Sequence, residues 1–539
     1  MSFAVALRTK RCALALLAIT LNGCANQHRQ DLPEIDMLIV NGSVYSGNDT
    51  LNRNLDIGLC GKVICAIEPT GTHTLVAKQT IDANGYVVSP GFIDPHTHTF
   101  AELSSDDQHF NLNYLYQGVT TVVNGNDGGG PARFREALAR INPQGVGTNF
   151  AMFTGHGSLR KSVMGIAKRQ ASPQELAQMG ALLEQAMKEG ALGLSTGLYY
   201  VPGQFADTKE IIALATIASQ FGGIYETHIR DESSFNIGFL KAIDEAIEIA
   251  QQASIPLHLA HIKALGVDVW GQSYDAIERI EHANKNGIKV TADQYPWLAS
   301  GTNIHSAVVP KWALADSNDA FLSRLEDPTL IERISLETTD NIRRRGGADK
   351  LLITASQQTE WVGKTLQDLA DQWSITPTEA TLKMVRVGRH RVASYNMNPK
   401  DVENFMVQPW VVTSSDGTNG HPRKYASFPK KFRQYVKDKA LLTTGEFIYR
   451  SSGLTADILG IEDRGTLDVG KAADVLIFDP NNFSDEANFE QWDVLSSGVK
   501  YIFVNGQCVI ENGQFTGRLA GEFVRPARVQ RAPKSKGQL

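Results

Sequence analysis

Hydrophobic and polar positions follow two different periods along this chain. Near one end, residues 36–88 read as short runs of period two broken by glycine turns: MLIVNGSVYSG, LDIGLCGKVICAIEP and TIDANGYVVSPG. The same texture returns near the other end in GTLDVGKAADVLIFDP and VKYIFVNGQCVIENG. Segments so alike and so far apart predict one small β-sandwich domain assembled from both chain ends, over 24–88 and 465–539. Between them, 89–464 alternates helical periodicity with short apolar strands. Ser172-Pro173-Gln174-Glu175 has the capping-box pattern with proline at the first helical position, and the helix should run to Gly190, with the strand ALGLS following at once. Further helices are expected over 210–220, 237–252 and 274–286, each feeding a strand, at 224–227, 255–260 and 288–292. Repeated helix–glycine–strand units imply parallel strands with crossover helices, an α/β fold. A TIM-type (β/α)8 barrel is the expected form. A doubly wound sheet would fit the alternation, but no glycine-rich nucleotide fingerprint follows the first strand. The rhythm breaks around 301–407, which is richer in charge (IRRRGGADK, VGRHRVASY). This region reads as insertions between the last strands, either a cover for the barrel mouth or an inert packing excursion.

In such a barrel, residues just past the C-terminal end of each strand face the active-site mouth. Metal-competent side chains stand at these positions. In VVSPGFIDPHTHTF, His96 and His98 are one residue apart, so an extended segment turns both to one face, where they can grip one cation. In GVTTVVNGNDGGG the strand ends near Asn124, Asn126 and Asp127. Asp127 is a candidate ligand, or a turn aspartate before glycine. IYETHIRDES delivers His228 and IPLHLAHIK delivers His261, at corresponding positions on consecutive strands. His258 reads as a packing or network residue. MVQPWVVTSSDGTNGHPR ends its strand at Asp416, placed to reach a bound water as general base; the plain alternative is a turn aspartate. Imidazole and carboxylate donors suit a divalent ion of the zinc type, one or two in number, with a coordination position left open for water.

The 539 residues suffice for a barrel and a second domain, and 42% hydrophobic with 20% charged residues is an ordinary globular balance. A net charge of -6, without a large Lys/Arg block, argues against a nucleic-acid partner. Residues 1–23 read as a lipoprotein-type signal peptide: Arg8, Lys10 and Arg11, a short apolar run, then Leu21-Asn22-Gly23-Cys24. Cys24 is the expected lipidation site, with Asn22 unusual in that pattern. A plain cleaved signal is the alternative. Either way the protein is exported, and with Ala25 after Cys24 the expectation is an outer-membrane lipoprotein on the periplasmic face. Of the remaining cysteines, Cys60 and Cys65 could be bridged in an oxidising compartment, though three scattered cysteines make no disulfide framework.

PGFIDPHTH, GHGSLR, GALGLSTGLYYVPG, THIRDE, AHIK, DQYP and SDG with HPR together resemble the amidohydrolase superfamily, and more narrowly its D-aminoacylase (N-acyl-D-amino-acid deacylase) branch. The resemblance spans 36–512. It implies a metal-dependent hydrolase acting on the amide bond of a small N-acyl amino acid. It also implies that His228 and His261 hold the tightly bound metal, that His96 and His98 frame a weaker second site, and that Asp416 is the general base. Where the family has a cysteine near the second strand, this chain has Asp127, which opens the number and identity of the metals. Lys263, Tyr295 and Arg423 would hold the substrate carboxylate, helped by Tyr199 or Tyr200, unless these are surface or core residues; a guanidinium pairs bidentately with such a group. His156 and Arg160 receive no role. Other substrates on the same site, a cyclic amide or an isoaspartyl dipeptide, are alternatives, as is a non-catalytic binding lipoprotein.

Overall fold

The computed structural model describes residues 34–72 and 75–527; the leader and Cys24 lie outside the described residues. Strands from 35–90 and from 475–515 join in one ten-stranded mixed sheet. Its seam is the antiparallel pairing of Val87–Pro90 with Val475–Phe478, which sets Val88 opposite Ile477. Alternate side chains on these strands bury a common core of Ile39, Val44, Ile57, Ile64, Val88, Val475, Ile477 and Phe503. Cys60 and Cys65 form a disulfide at the tip of the hairpin Asn52–Cys60 and Val63–Pro69, while Cys508 is free and buried.

The strands Phe92–Asp94, Val119–Asn124 and Asn149–Met152 form a three-stranded parallel sheet. Thr154–Gly155, Gly193–Gly197, Ile224–His228, Leu257–Leu259, Val290–Gln294 and Val411–Thr413 form a six-stranded parallel one. The two sheets adjoin at both edges. On one side the Leu192 amide donates to Met152 O at 2.8 Å; on the other, Thr97 bridges Gly417 in parallel and the Asp416 amide donates to His96 O at 3.0 Å.

The crossover helices form where their signals stand. Ser172 Oγ accepts from the Glu175 amide at 3.2 Å, the Glu175 carboxylate accepts from the Ser172 amide at 2.8 Å, and helix Pro173–Glu189 ends on Gly190 at φ 113°. Helix Phe239–Ala253 buries Phe239, Ala242, Ile243, Ala246, Ile249 and Ala250, a helical stripe facing the sheet. Each large apolar side chain in it contributes roughly 1.5–3 kcal/mol by leaving water. No helix among the described residues is long and apolar enough to cross a membrane.

Between Val290–Gln294 and Val411–Thr413 the insertion folds on a core of its own. The strands Ala299–Asn303, Leu351–Ala355 and Arg391–Tyr395 form an antiparallel sheet, packed with the helices through Ile304, Val308, Phe321, Ile334, Ile353, Leu369 and Met384. Its Ser306, Lys311, Phe321, Arg345, Arg389 and Arg391 line one wall of the cavity at the strand ends. The insertion is therefore part of the site rather than an inert excursion.

Candidate metal centre

The parallel strands finish on one rim, and several of them deliver polar side chains there. Asp127 sits at the centre. Its Oδ1 lies 3.5 Å from His96 Nε2, 3.8 Å from His228 Nδ1 and 3.2 Å from His261 Nε2. Its Oδ2 lies 3.5 Å from His98 Nε2. Asp416 Oδ1 closes the far side, 3.2 Å from His98 Nε2 and 3.8 Å from His96 Nε2. His228 Nδ1 and His261 Nε2 approach to 2.9 Å, two ring nitrogens turned on one point. The donors fall into two groups, His96, His98, Asp127 and Asp416 in one and Asp127, His228 and His261 in the other, with the ligand atoms of each group within 4.8 Å of one another. Asp127 belongs to both.

The loop that presents Asp127 is held tightly. Asp127 takes φ 55°, a left-handed value that aspartate tolerates, and Gly128 follows at φ 72°. A Cβ on Gly128 would lie 2.8 Å from the Gly197 amide nitrogen, so only glycine fits there. Ser195 Oγ donates to Gly125 O at 2.5 Å and accepts from the Gly128 amide at 3.2 Å, pinning both ends of the turn. The turn reading and the ligand reading of Asp127 hold at once: the turn is what aims the carboxylate.

The group suits a divalent ion. Asp127 Oδ1 and both ring nitrogens of His96 are buried without a hydrogen-bond partner, where such atoms are nearly always satisfied. Nitrogen and carboxylate oxygen donors match zinc-type chemistry.

A model of the amidohydrolase family matches residues 79–311. A D-aminoacylase of Alcaligenes xylosoxydans xylosoxydans is 30% identical over 535 residues, covering 92% of this chain and 99% of that protein. The chain belongs to the amidohydrolase family, in its D-aminoacylase branch. Among solved structures, a D-aminoacylase studied for its binuclear metal centre, with one-metal activation and second-metal attenuation, is 28% identical at TM-score 0.77 and covers 91% of this chain and 100% of its own. An N-acyl-D-glutamate deacylase from Bordetella bronchiseptica, holding zinc and a phosphonate mimic of the tetrahedral intermediate, is 26% identical at TM-score 0.78 with the same coverage.

In this amidohydrolase, carboxylates stand behind the histidines as well as among them. Glu232 Oε1 is 3.2 Å from His261 Nδ1, and its Oε2 is 3.6 Å from His228 Nε2, so one carboxylate faces the outer nitrogens of both rings. Asp293 Oδ2 and Glu226 Oε1 each lie 3.6 Å from His96 Nδ1. Such partners fix which ring nitrogen is free to bind metal. Glu232 and Asp293 stand inside the THIRDE and DQYP motifs, and the fold rather than the sequence sets them behind the rings. His258 is a network residue, as its sequence context suggested, bonded to Thr291 Oγ1 at 2.9 Å and Asp293 Oδ2 at 3.1 Å.

Burial and charge act against each other here. Burial lowers the His261 pKa, but Asp127 and Glu232 outweigh it and raise it to about 9. His228 is taken down to about 4 by burial, with His261 and Lys263 pushing the same way. Burial pushes the Asp416 carboxyl up, but Arg423, then His261 and His98, hold it below the usual carboxylate range. Burial, with Asp127 and Asp293 near it, pushes Glu226 up to about 8.

The expected substrate residues all line the same cavity of about 540 Å³, in different states. Arg423 Nη1 lies 2.8 Å from Asp416 Oδ2, close but off the hydrogen-bond axis, and its guanidinium stands 4.7 Å from the Tyr295 ring centre. Tyr295 Oη is buried without a partner. Lys263 Nζ is taken up by Glu232 Oε1 at 2.5 Å and by His261 O at 2.9 Å. Tyr199 Oη donates to Ser306 O at 2.8 Å, in the insertion, whereas Tyr200 lies against His228 with ring centres 4.7 Å apart. His156 and Arg160 lie outside the cavity lining and share the Glu210 carboxylate, at 2.8 and 2.6 Å, a buried brace for the helix His156–Met164.

Proposed function

We propose that this protein is an exported N-acyl-D-amino-acid deacylase, hydrolysing the amide bond to release the D-amino acid. The arrangement of Asp127 supports this most: one carboxylate shared by two imidazole pairs, in a cavity that also holds Asp416 and Arg423. On this reading the parallel strands close into a (β/α)8 barrel, the ten-stranded sheet forms the β-sandwich domain of 24–88 and 465–539, and 89–464 is the hydrolase. His228, His261 and Asp127 would hold one ion and His96, His98 and Asp127 a second, with Asp416 left beside them as the base and zinc the best match to these donors. A bound ion would supply Lewis acidity and lower the pKa of water to about 7.

The remaining work falls to side chains. Asp416, kept ionised, accepts the water proton on Oδ1 and returns it to the departing nitrogen. Arg423 and the unpartnered Tyr295 hydroxyl anchor the substrate carboxylate. Lys263, committed to Glu232, orients that carboxylate behind His261, and Tyr200 covers the His228 side. Export, lipidation of Cys24 and a periplasmic location rest on the leader pattern; the Cys60–Cys65 bridge is in keeping with an oxidising compartment. A Cys24→Ala protein should lose membrane association in a detergent partition, and unaltered partitioning would remove the anchor.

The test of activity is a panel of N-acetyl-D- and N-acetyl-L-amino acids beside a hydantoin and an isoaspartyl dipeptide. The D-enantiomers should lead by ~100-fold or more in kcat/KM, the discrimination expected when buried polar groups contact the substrate. Equal rates on the L series, or a preference for the cyclic amide or the dipeptide, would discard the proposal.

A further inference from the structure

The charges lining the cavity do not balance. Its carboxylates are Asp127, Glu232 and Asp416, all within the metal centre. Against them stand seven cationic side chains, of which Lys263 is paired with Glu232, Arg423 is paired with Asp416 and Lys161 is exposed to water. Lys311, Arg345, Arg389 and Arg391, all from the insertion, have no carboxylate oxygen of the described residues within 4.0 Å. Arg389 is exposed, and a solvated arginine explains itself. The others are not so easily explained, because a charge withdrawn from water without a counter-ion is costly.

Two of these cations converge. Lys311 Nζ donates to Ser306 O at 2.5 Å and stands 4.0 Å from the Tyr199 ring centre. Arg345 is 1% exposed; its Nε donates to Ala307 O at 2.8 Å and its Nη2 to Tyr199 Oη at 3.2 Å. Neutral carbonyl and phenol oxygens are thus their partners. Asp231, a carboxylate that acts on Lys311 from beyond 4.0 Å, is bound by the amides of Ser233, Asn236 and Gly238. The cluster adjoins the His228 side of the centre, with the Tyr199 and His228 rings 5.6 Å apart, whereas Arg423 adjoins Asp416. A substrate with a single carboxylate occupies the Arg423 end and leaves this cluster uncompensated.

We propose that the substrate carries a second anionic group, and that Lys311 and Arg345, braced by Tyr199, form the subsite that receives it. This deepens the deacylase reading and rests on it. The group could come from the side chain of an acidic D-amino acid or from a carboxylate at the far end of the acyl chain; both offer the same oxygens to an ammonium and a guanidinium.

The test compares three substrates on the metal-loaded wild-type enzyme: N-acetyl-D-leucine with one charge, N-acetyl-D-glutamate with the second on the side chain, and N-succinyl-D-leucine with the second on the acyl group. One dianion should exceed the monoanion in kcat/KM by roughly 10- to 100-fold, the worth of a charge-assisted contact. Which dianion leads identifies the source. Lys311→Met should collapse the dianion-to-monoanion ratio, and Arg345→Lys should lower it less than Arg345→Met. The wild-type comparison decides the matter even if a variant misfolds. A monoanion hydrolysed as well as both dianions overturns the subsite and leaves the deacylase reading standing; no hydrolysis of any of the three overturns both.

Discussion

Replacing Asp127 by asparagine tests the centre most directly, because it removes charge while keeping shape. Asparagine tolerates the left-handed φ of 55° and the turn before Gly128, so the loop and the fold should survive. What is lost is the carboxylate charge, whose two oxygens face four imidazoles between them at 3.2 to 3.8 Å. Removing one partner of a buried charged set costs about 3–5 kcal/mol, and about 1.4 kcal/mol is tenfold in affinity. Metal affinity should therefore fall by ~100- to 4,000-fold. Because Asp127 belongs to both donor groups, both ion positions should weaken together. Elemental analysis after gel filtration, chelator competition and kcat on the preferred N-acyl-D-amino acid measure this. Circular dichroism and a melting curve verify that the fold persists. A folded Asp127→Asn protein with wild-type metal content and turnover would show Asp127 to be a turn residue only, and the shared-carboxylate argument would fail. Loss of one ion with the other retained would show that the bridge is not shared.

Two further outcomes follow from the electrostatics. His261 is raised from 6.5 to about 9 in the folded, metal-free chain, so it contributes stability that is full below pH 6.5 and lost as pH climbs through 9; the melting temperature of the metal-free protein should fall over that window. An ion must displace that proton, so calorimetry in buffers of different ionisation enthalpy should show about one proton released at this position near pH 7, with affinity rising with pH; pH-independent affinity between 6 and 8 would contradict it. Glu232→Gln keeps the shape behind His261 and His228 but removes the charge. It should weaken metal binding ~10- to 100-fold while excess metal restores part of kcat, and unchanged chelator competition would deny Glu232 its orienting role.

The side chains that converge on the rim were legible in the sequence because the ends of parallel strands obey a positional rule. His96, His98, His228, His261 and Asp416 each follow a short apolar run, and the rule needs nothing more than that run and its end. Helix starts were equally open to reading, since the capping box at Ser172 is a local contest between side chain and backbone that distant contacts do not alter. Boundaries elsewhere moved by a residue or two, as frayed ends do. Glu232 and Asp293 went unassigned for a different reason. A carboxylate four residues past His228 is indistinguishable in sequence from a solvated one until the fold sets it behind a ring nitrogen. The states of Lys263 and Tyr199 were hidden in the same way, because Glu232 and Ser306 reach them across 31 and 107 residues.

The insertion is the harder case, and it explains why substrate choice is the least local property of this chain. Its helices and strands satisfy their own core, so periodicity between 301 and 407 reports packing and is silent about the cavity. Yet Lys311 lies at a short helical turn, Arg345 at the end of Pro328–Arg344 and Arg391 at the start of a strand. Those are element ends, where a side chain can leave its own core and face a neighbour. The same logic that places polar side chains at the ends of the parallel strands thus places cations at the ends of insertion elements. The difference lies in what fixes them. The parallel sheets set the ligand spacing through continuous registered pairing, whereas the cations depend on how a separately packed unit docks across Tyr199 and Ser306. Relatives can therefore share the centre and differ in substrate by changing only what the docked unit presents.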